Sequence, residues 1–188
     1  IMPFVEGVHL ESYVIAQGGK LTPDRAVSLV KEIAYGLSAI HQKGYVHRDI
    51  KPPNIMILPN GHVMILDMGI CRKMNAKTIT QGTGVLGSLP WMPREQLANP
   101  GHEDPRSDFY SLGAVLYWMV TGLPPVQGTD VASVTMSICQ QAPPSPQQLN
   151  ASVPEHLDRA CMKMLAKMPQ DRYQSAEEFI QAISTAVP

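Results

Sequence analysis

Eight consecutive residues, at positions 47–54, combine side chains that could act together on a phosphate group. The octet reads His-Arg-Asp-Ile-Lys-Pro-Pro-Asn, so Asp49, Lys51 and Asn54 bring an anion, a cation and a neutral oxygen ligand into one short segment. Phosphoryl transfer to a hydroxyl needs this combination, because the protein must orient the attacking hydroxyl and neutralise phosphate oxygens. For the tripeptide His-Arg-Asp taken alone, a polar turn in which Asp49 acts as a cap is the better interpretation.

A second carboxylate favours the chemical interpretation. Asp67 ends the apolar run at 63–66 and is followed by Met68 and Gly69. A carboxylate at the end of a strand, next to a glycine that lets the backbone turn away, suits a hard cation such as Mg²⁺ with phosphate as another ligand. Asn54 and Asp67 are therefore predicted to share one metal site.

The elements on either side of the octet must hold it in place. Thr-Pro-Asp at 22–24 offers a capping hydroxyl, a proline suited to the first helical turn and an early acid, and predicts a helix that ends at Gly44. Apolar runs at 55–58 and 63–66 are joined by Pro-Asn-Gly-His at 59–62, which predicts a two-stranded β ribbon. The octet is thus a loop between two regular elements, where catalytic groups are often found.

The rest of the chain is predicted to be mainly helical. Apolar residues recur at helical spacing on almost every side of 108–121, which indicates a central, buried helix, and further helices are predicted at 130–140, 154–167 and 175–186. Residues 68–90 lack periodicity and predict a functional or mobile loop. Without a repeat or a dividing linker, the chain is predicted to form one domain, mainly α with a small β ribbon.

Length and composition exclude several classes of protein. The 188 residues are 44% hydrophobic, enough for one core, and 15 basic against 16 acidic side chains leave no net field that would attract nucleic acid. The longest apolar run is too short for a membrane span, and the first residues lack the basic start and apolar core that are typical of a signal peptide. Scattered cysteines fit free thiols in a reducing compartment, so a cytoplasmic location is expected, although the parent protein could be anchored to a membrane. The cysteines are Cys71, Cys139 and Cys161. Three histidines show no metal-ligand spacing and are expected at the surface or in packing contacts: His41, His62 and His102.

The octet followed by Asp67-Met68-Gly69 resembles the catalytic loop and the Asp-Phe-Gly segment of protein kinases, with methionine replacing phenylalanine. A lysine two places after the aspartate resembles the serine/threonine class, and the loop closure at 89–97 is similar to that of bacterial kinases. The resemblance implies the large, carboxy-terminal lobe of the kinase fold over residues 1–188, with ATP and Mg²⁺ as cofactors. It also implies that Asp49 accepts the substrate hydroxyl proton, that Lys51 supports the transferring phosphate, and that Asn54 and Asp67 hold Mg²⁺.

The same resemblance implies supporting roles within and beyond an activation segment at 67–95. Ser88 keeps the hydroxyl that could bridge Asp49 and Lys51, and Arg48 resembles an arginine that binds an activating phosphate. The candidate phosphate acceptors are Thr78, Thr80 and Thr83. For any one of them, an ordinary solvated loop threonine is an equally good interpretation. Three residues are expected to be structural: Asp108, which would bond the catalytic-loop backbone, and Glu95 and Arg172, which would form an ion pair.

Residues 1–7 resemble the hinge between the two kinase lobes. Adenine is expected to contact the Pro3 carbonyl and the Val5 N–H, with Met2 restricting the back of the pocket and Met56 forming its floor. Because the chain begins with Ile1, it is expected to be a piece that lacks the small amino-terminal lobe and is inactive alone.

Two functions therefore remain open. The first is the catalytic lobe of a serine/threonine protein kinase, with a protein as substrate. The second is a non-catalytic pseudokinase or docking module, to which the changes at Met68, Pro93 and Arg94 give some support. The presence of all four candidate catalytic and metal-binding residues favours the first. In both cases the face toward the missing lobe is expected to contact a small kinase lobe or a second copy of the chain.

Overall fold

The computed structural model describes residues 6–66, 87–99, 101 and 103–184. Within these ranges the chain forms helices and one small antiparallel sheet, which confirms the predicted class of mainly α with little β structure. The helices are α1 (Leu10–Ala16), α2 (Pro23–Gln42), α3 (Arg94–Ala98), α4 (Arg106–Thr121), α5 (Val131–Gln140), α6 (Pro146–Leu149), α7 (Glu155–Met164) and α8 (Ala176–Ser184). No described helix is long and apolar enough to cross a membrane.

Helix α4 lies at the centre of the core because its sequence is apolar on almost every side. It packs against α2 on one flank and α7 on another. A Cβ atom at Gly113 would lie 2.6 Å from the Cβ of Met164, so only glycine permits this approach of α4 to α7. Gly122 ends the helix with φ of 80°, a conformation that favours glycine. The predicted buried central helix is confirmed.

Helix α2 leads directly toward the octet. The Thr22 hydroxyl accepts a hydrogen bond from the Arg25 N–H at 3.4 Å, and Pro23 occupies the first turn, so the predicted start is confirmed. Its buried stripe packs on α4 and α8 and consists of Ala26, Leu29, Val30, Ile33, Ala34 and Leu37. Gly44 follows the helix with φ of 77°, which confirms the predicted end.

The sheet has three strands, β1 (Val8–His9), β2 (Ile55–Ile57) and β3 (Val63–Ile65), in the order β1-β2-β3. Both pairs are antiparallel. The third strand, β1, was not predicted, because a two-residue strand has no alternation to detect and β1 pairs with a strand far along the sequence. The predicted β2–β3 ribbon is present.

The three carboxy-terminal helices were predicted with ends within a few residues of α5, α7 and α8. Three short helices, α1, α3 and α6, were missed, because few turns give little periodicity. The predicted loop at 68–90 overlaps residues 67–86, which lie outside the described part, and Leu89–Trp91 forms a 3₁₀ turn at its end.

Candidate active site

The octet, hereafter the catalytic loop, is anchored to the first turn of α4 by one carboxylate. Asp108 is fully buried, and its two oxygens accept hydrogen bonds from the N–H groups of His47 (2.8 Å) and Arg48 (2.7 Å). His41 donates from Nε2 to Asp108 Oδ2 at 2.7 Å, because a carboxylate can only accept. Three hydrogen-bond donors compensate this buried carboxylate for its lost hydration, so it can hold the loop rigidly.

His47 fastens the loop to the end of β3. Its Nε2 lies 3.0 Å from the Leu66 carbonyl oxygen and must donate to it, while its Nδ1 accepts from the Asp49 N–H at 3.3 Å. The imidazole is therefore the neutral Nε2–H tautomer, buried with both nitrogens satisfied. The Leu66 N–H in turn donates to the Asn54 carbonyl at 2.8 Å.

Four polar side chains converge beside the loop. Lys51 Nζ lies 2.9 Å from Asp49 Oδ2 and donates to the Ser88 hydroxyl at 3.0 Å. The Asn54 amide nitrogen donates to Asp49 Oδ2 at 2.7 Å and to the Asp49 backbone carbonyl at 2.9 Å. The side chains of Asp49 and Lys51 are about one-fifth exposed, so they are held in place and yet accessible. Lys51 therefore contacts both Asp49 and Ser88.

This geometry can bind and orient a phosphate and a hydroxyl. The ammonium of Lys51 can neutralise phosphate oxygens, and the Asp49 carboxylate can accept a proton from a hydroxyl beside it. Both Asn54 contacts use the amide nitrogen, so the carbonyl oxygen is the atom that Asn54 would offer to a cation, as Mg²⁺ prefers.

Met56 lies on β2, directly after the loop. Its pairing partner is His9 on β1, and a Cβ atom at Gly7 would lie 2.6 Å from Met56 Cγ and 2.8 Å from the Ile57 carbonyl oxygen. Gly7 therefore permits the amino-terminal segment to pass directly over Met56. His9 also donates from Nδ1 to the carbonyl of Pro53 at 2.8 Å.

Glu95 and Arg172 form the predicted contact as a bidentate pair. The Arg172 nitrogens donate to the two Glu95 oxygens at 2.6 and 3.0 Å, and the Ser107 hydroxyl donates to Glu95 at 2.9 Å. Burial is the largest influence on Glu95 and raises its pKa, but the hydrogen bond and charge of Arg172 outweigh it, so the pKa lies below its ordinary value. Arg172 is only 1% exposed and also donates to the backbone carbonyls of Arg106, Ala166 and Lys167.

Several predicted site residues lie outside the described part of the chain. They are Met2, Pro3, Val5, Asp67, Thr78, Thr80 and Thr83.

Sequence reasoning missed three side chains that support the site. His41 packs edge-to-face on Phe109, as a packing residue would, but it also contacts Asp108. Ser107 contacts Glu95, and Gln96 donates from Nε2 to the Arg48 carbonyl at 2.8 Å. Only contacts between distant segments reveal these roles, because no local spacing marks them.

The family model described as "Protein kinase domain" matches residues 1–182. The chain therefore belongs to the protein kinase family. It is 37% identical over 186 residues to the serine/threonine-protein kinase PrkC of Bacillus subtilis, covering 99% of this chain and 28% of that protein. It is 38% identical over 180 residues to the serine/threonine-protein kinase PknB of Mycolicibacterium smegmatis, covering 95% of this chain and 28% of that protein. The predicted resemblance to bacterial-type serine/threonine kinases is confirmed, and the chain spans less than a third of the length of these relatives.

Proposed function

We propose that the protein containing this chain is a serine/threonine protein kinase that transfers the γ-phosphoryl group of ATP to a protein hydroxyl. The observation that carries the proposal is the convergence of Asp49, Lys51 and Asn54 within hydrogen-bond distance in a loop held by buried Asp108. Family membership supports the same reaction.

In this proposal Asp49 accepts the proton of the substrate hydroxyl as its oxygen forms a bond to the γ-phosphorus. The bond between that phosphorus and the bridging oxygen breaks, and ADP leaves with the electron pair. Lys51 stabilises the negative charge on the transferring group, and Ser88 orients Lys51 through the 3.0 Å contact.

Asn54 and Asp67 are the proposed ligands of Mg²⁺, which supplies neutralisation of phosphate charge when bound. The contacts of the Asn54 amide nitrogen leave its carbonyl oxygen for this role. No cluster of three or more His, Cys, Asp or Glu side chains that could hold a metal exists among the described residues. The proposed site consists of these two side chains and the phosphates.

We place the adenine over Met56, with main-chain contacts at Pro3 and Val5 and with Met2 behind it. The close approach of Gly7 to Met56 supports this placement, because Gly7 directly follows the proposed hinge residues in the sequence.

The proposed regulation and partners follow the family. Arg48 would bind a phosphate on Thr78, Thr80 or Thr83, and the protein substrate would approach Asp49 along the activation segment. The hinge side of this lobe would face a small lobe or a second copy of the chain, in a cytoplasmic location.

The test is phosphoryl transfer by the intact protein and its Asp49→Asn variant, with mass spectrometry identifying the phosphorylated residue type. Asp24→Asn, an exposed acid on α2, is the control. We expect phosphoserine or phosphothreonine from the wild type and the control, and a loss of at least about 10²-fold for Asp49→Asn, typical of a general base. Equal activity of Asp49→Asn would refute the mechanism. No transfer by the wild type would favour the pseudokinase or docking module.

A further inference from the structure

The backbone of Arg48, directly before Asp49, adopts an unusual conformation that its surroundings must maintain. Arg48 has φ of 69°, the only positive φ at a residue other than glycine in the described part of the chain. A residue with a Cβ atom adopts this region at a cost in energy, so such a conformation persists only where contacts impose it.

Three backbone groups of Arg48 and Asp49 have hydrogen-bond partners. The Arg48 N–H donates to Asp108 Oδ1 at 2.7 Å, and the Asp49 N–H donates to His47 Nδ1 at 3.3 Å. The Arg48 carbonyl accepts from Gln96 Nε2 at 2.8 Å. Asp108 lies on α4, and His47 belongs to the loop itself. Gln96 lies on α3, directly after Glu95.

We propose that Gln96 is a positioning residue that fixes the plane of the Arg48–Asp49 peptide and thereby orients the Asp49 carboxylate. The inference rests on the proposed function of Asp49. The Gln96 bond adds a second hydrogen bond between the segment at 87–99 and the catalytic loop, beside the bond from Lys51 to Ser88.

The bond from Gln96 matters because the carbonyl of Arg48 and the N–H of Asp49 belong to one rigid plane. If the carbonyl loses its donor, the plane can rotate, and the Asp49 side chain moves with it. Small displacements of a reacting group are costly in rate. If the full contribution of a hydrogen bond between neutral groups is lost in the transition state, kcat falls roughly two- to tenfold. Gln96 lies on α3, outside the residues proposed to contact the adenine, so we expect the effect on kcat and not on the KM for ATP.

Two substitutions in the intact protein test this proposal. Gln96→Met keeps the length of the side chain and removes the donor, so kcat should fall roughly two- to tenfold at constant KM for ATP. Gln96→Glu places an ionised carboxylate against the carbonyl oxygen, but its protonated form can donate. The ratio of Gln96→Glu activity to wild-type activity should therefore rise as the pH falls. Groups that titrate in both proteins do not affect this ratio.

Gln147→Met is the matched control. The Gln147 side chain also donates to a backbone carbonyl, that of Val153 at 3.1 Å, but it lies on α6 and makes no contact with the catalytic loop. This variant should keep the wild-type kcat and pH profile.

Hydrogen exchange at residues 47–54, measured by mass spectrometry, provides a readout that does not need activity. Exchange should be faster in Gln96→Met than in the wild type and unchanged in Gln147→Met. Wild-type kcat and exchange in Gln96→Met, or a Gln96→Glu ratio that does not change with pH, would overturn the proposal. If the wild type transfers no phosphoryl group, the proposed function fails, and exchange alone decides whether Gln96 holds the loop.

Discussion

Replacing Glu95 with glutamine removes the charge that pairs with Arg172 while keeping the size of the side chain. Arg172 would retain its hydrogen bonds to the carbonyls of Arg106, Ala166 and Lys167. Removing one partner of a buried ion pair typically costs 3–5 kcal/mol, because the other charge stays buried. Since the three carbonyls still solvate the guanidinium, we expect the lower end, a decrease of about 3 kcal/mol in the free energy of unfolding.

Urea unfolding followed by tryptophan fluorescence measures this change. Trp91 lies beside the affected helix and packs edge-to-face on Trp118 of α4, with ring centroids 6.1 Å apart, so unfolding of this region should change its emission. Glu155→Gln is the control, because its ion pair with Arg159 is exposed and should contribute little.

The dependence on pH gives an independent check. The pKa of Glu95 is below its ordinary value of 4.5 in the folded protein, so its ionised form stabilises the fold above pH 4.5. This stabilisation is lost as the pH falls through the lower, folded-state pKa. The difference between wild type and Glu95→Gln should therefore be constant near neutral pH and shrink below pH 4.5. Equal unfolding curves at pH 7, or a difference that does not shrink in acid, would refute the reasoning.

Three further predictions concern the core and the anchor. Asp108→Asn replaces one acceptor facing the catalytic-loop amides by a donor, so urea unfolding should show a loss of about 2–3 kcal/mol. Gly113→Ala should lower the unfolding free energy by about 1–3 kcal/mol through overpacking against α7, whereas Gly36→Ala, whose new Cβ meets only the end of a flexible side chain, should change it little. Burial, with a smaller contribution from a neighbouring aspartate, raises the pKa of Cys161. A thiol reagent at pH 8 should therefore modify half-buried Cys139 before Cys161, which should react only after denaturation. Equal labelling of these two cysteines in the native protein would contradict this.

The parts of the fold that could be predicted are those with long, local patterns. Helices α2 and α4 have several turns of apolar periodicity, and a cap or a terminal glycine marks their ends. Strand β1 has two residues and α3 has five, so neither shows a period, and each depends on contacts with distant segments. Asp49 and Asn54 lie in one short motif, so their residue types and spacing made them candidates, and the family resemblance gave them roles.

His41 and Gln96 could not be found in that way. His41 meets Asp108 across 67 positions, and Gln96 meets Arg48 across 48 positions. A glutamine and a histidine on helical surfaces are ordinary residues until the partner is known. The positive φ of Arg48 is equally invisible in the sequence, because arginine does not favour it.

The first turn of α4 connects the two parts of the site. Arg106 accepts a hydrogen bond from Arg172 through its carbonyl, Ser107 donates to Glu95, and Asp108 accepts from the catalytic loop. Three consecutive residues therefore bind both the Glu95–Arg172 ion pair and the loop that carries Asp49. Displacing this turn should disturb both together, whereas Glu95→Gln removes only one of the connections. Asp108→Asn should accordingly accelerate hydrogen exchange at residues 47–54 more than Glu95→Gln does.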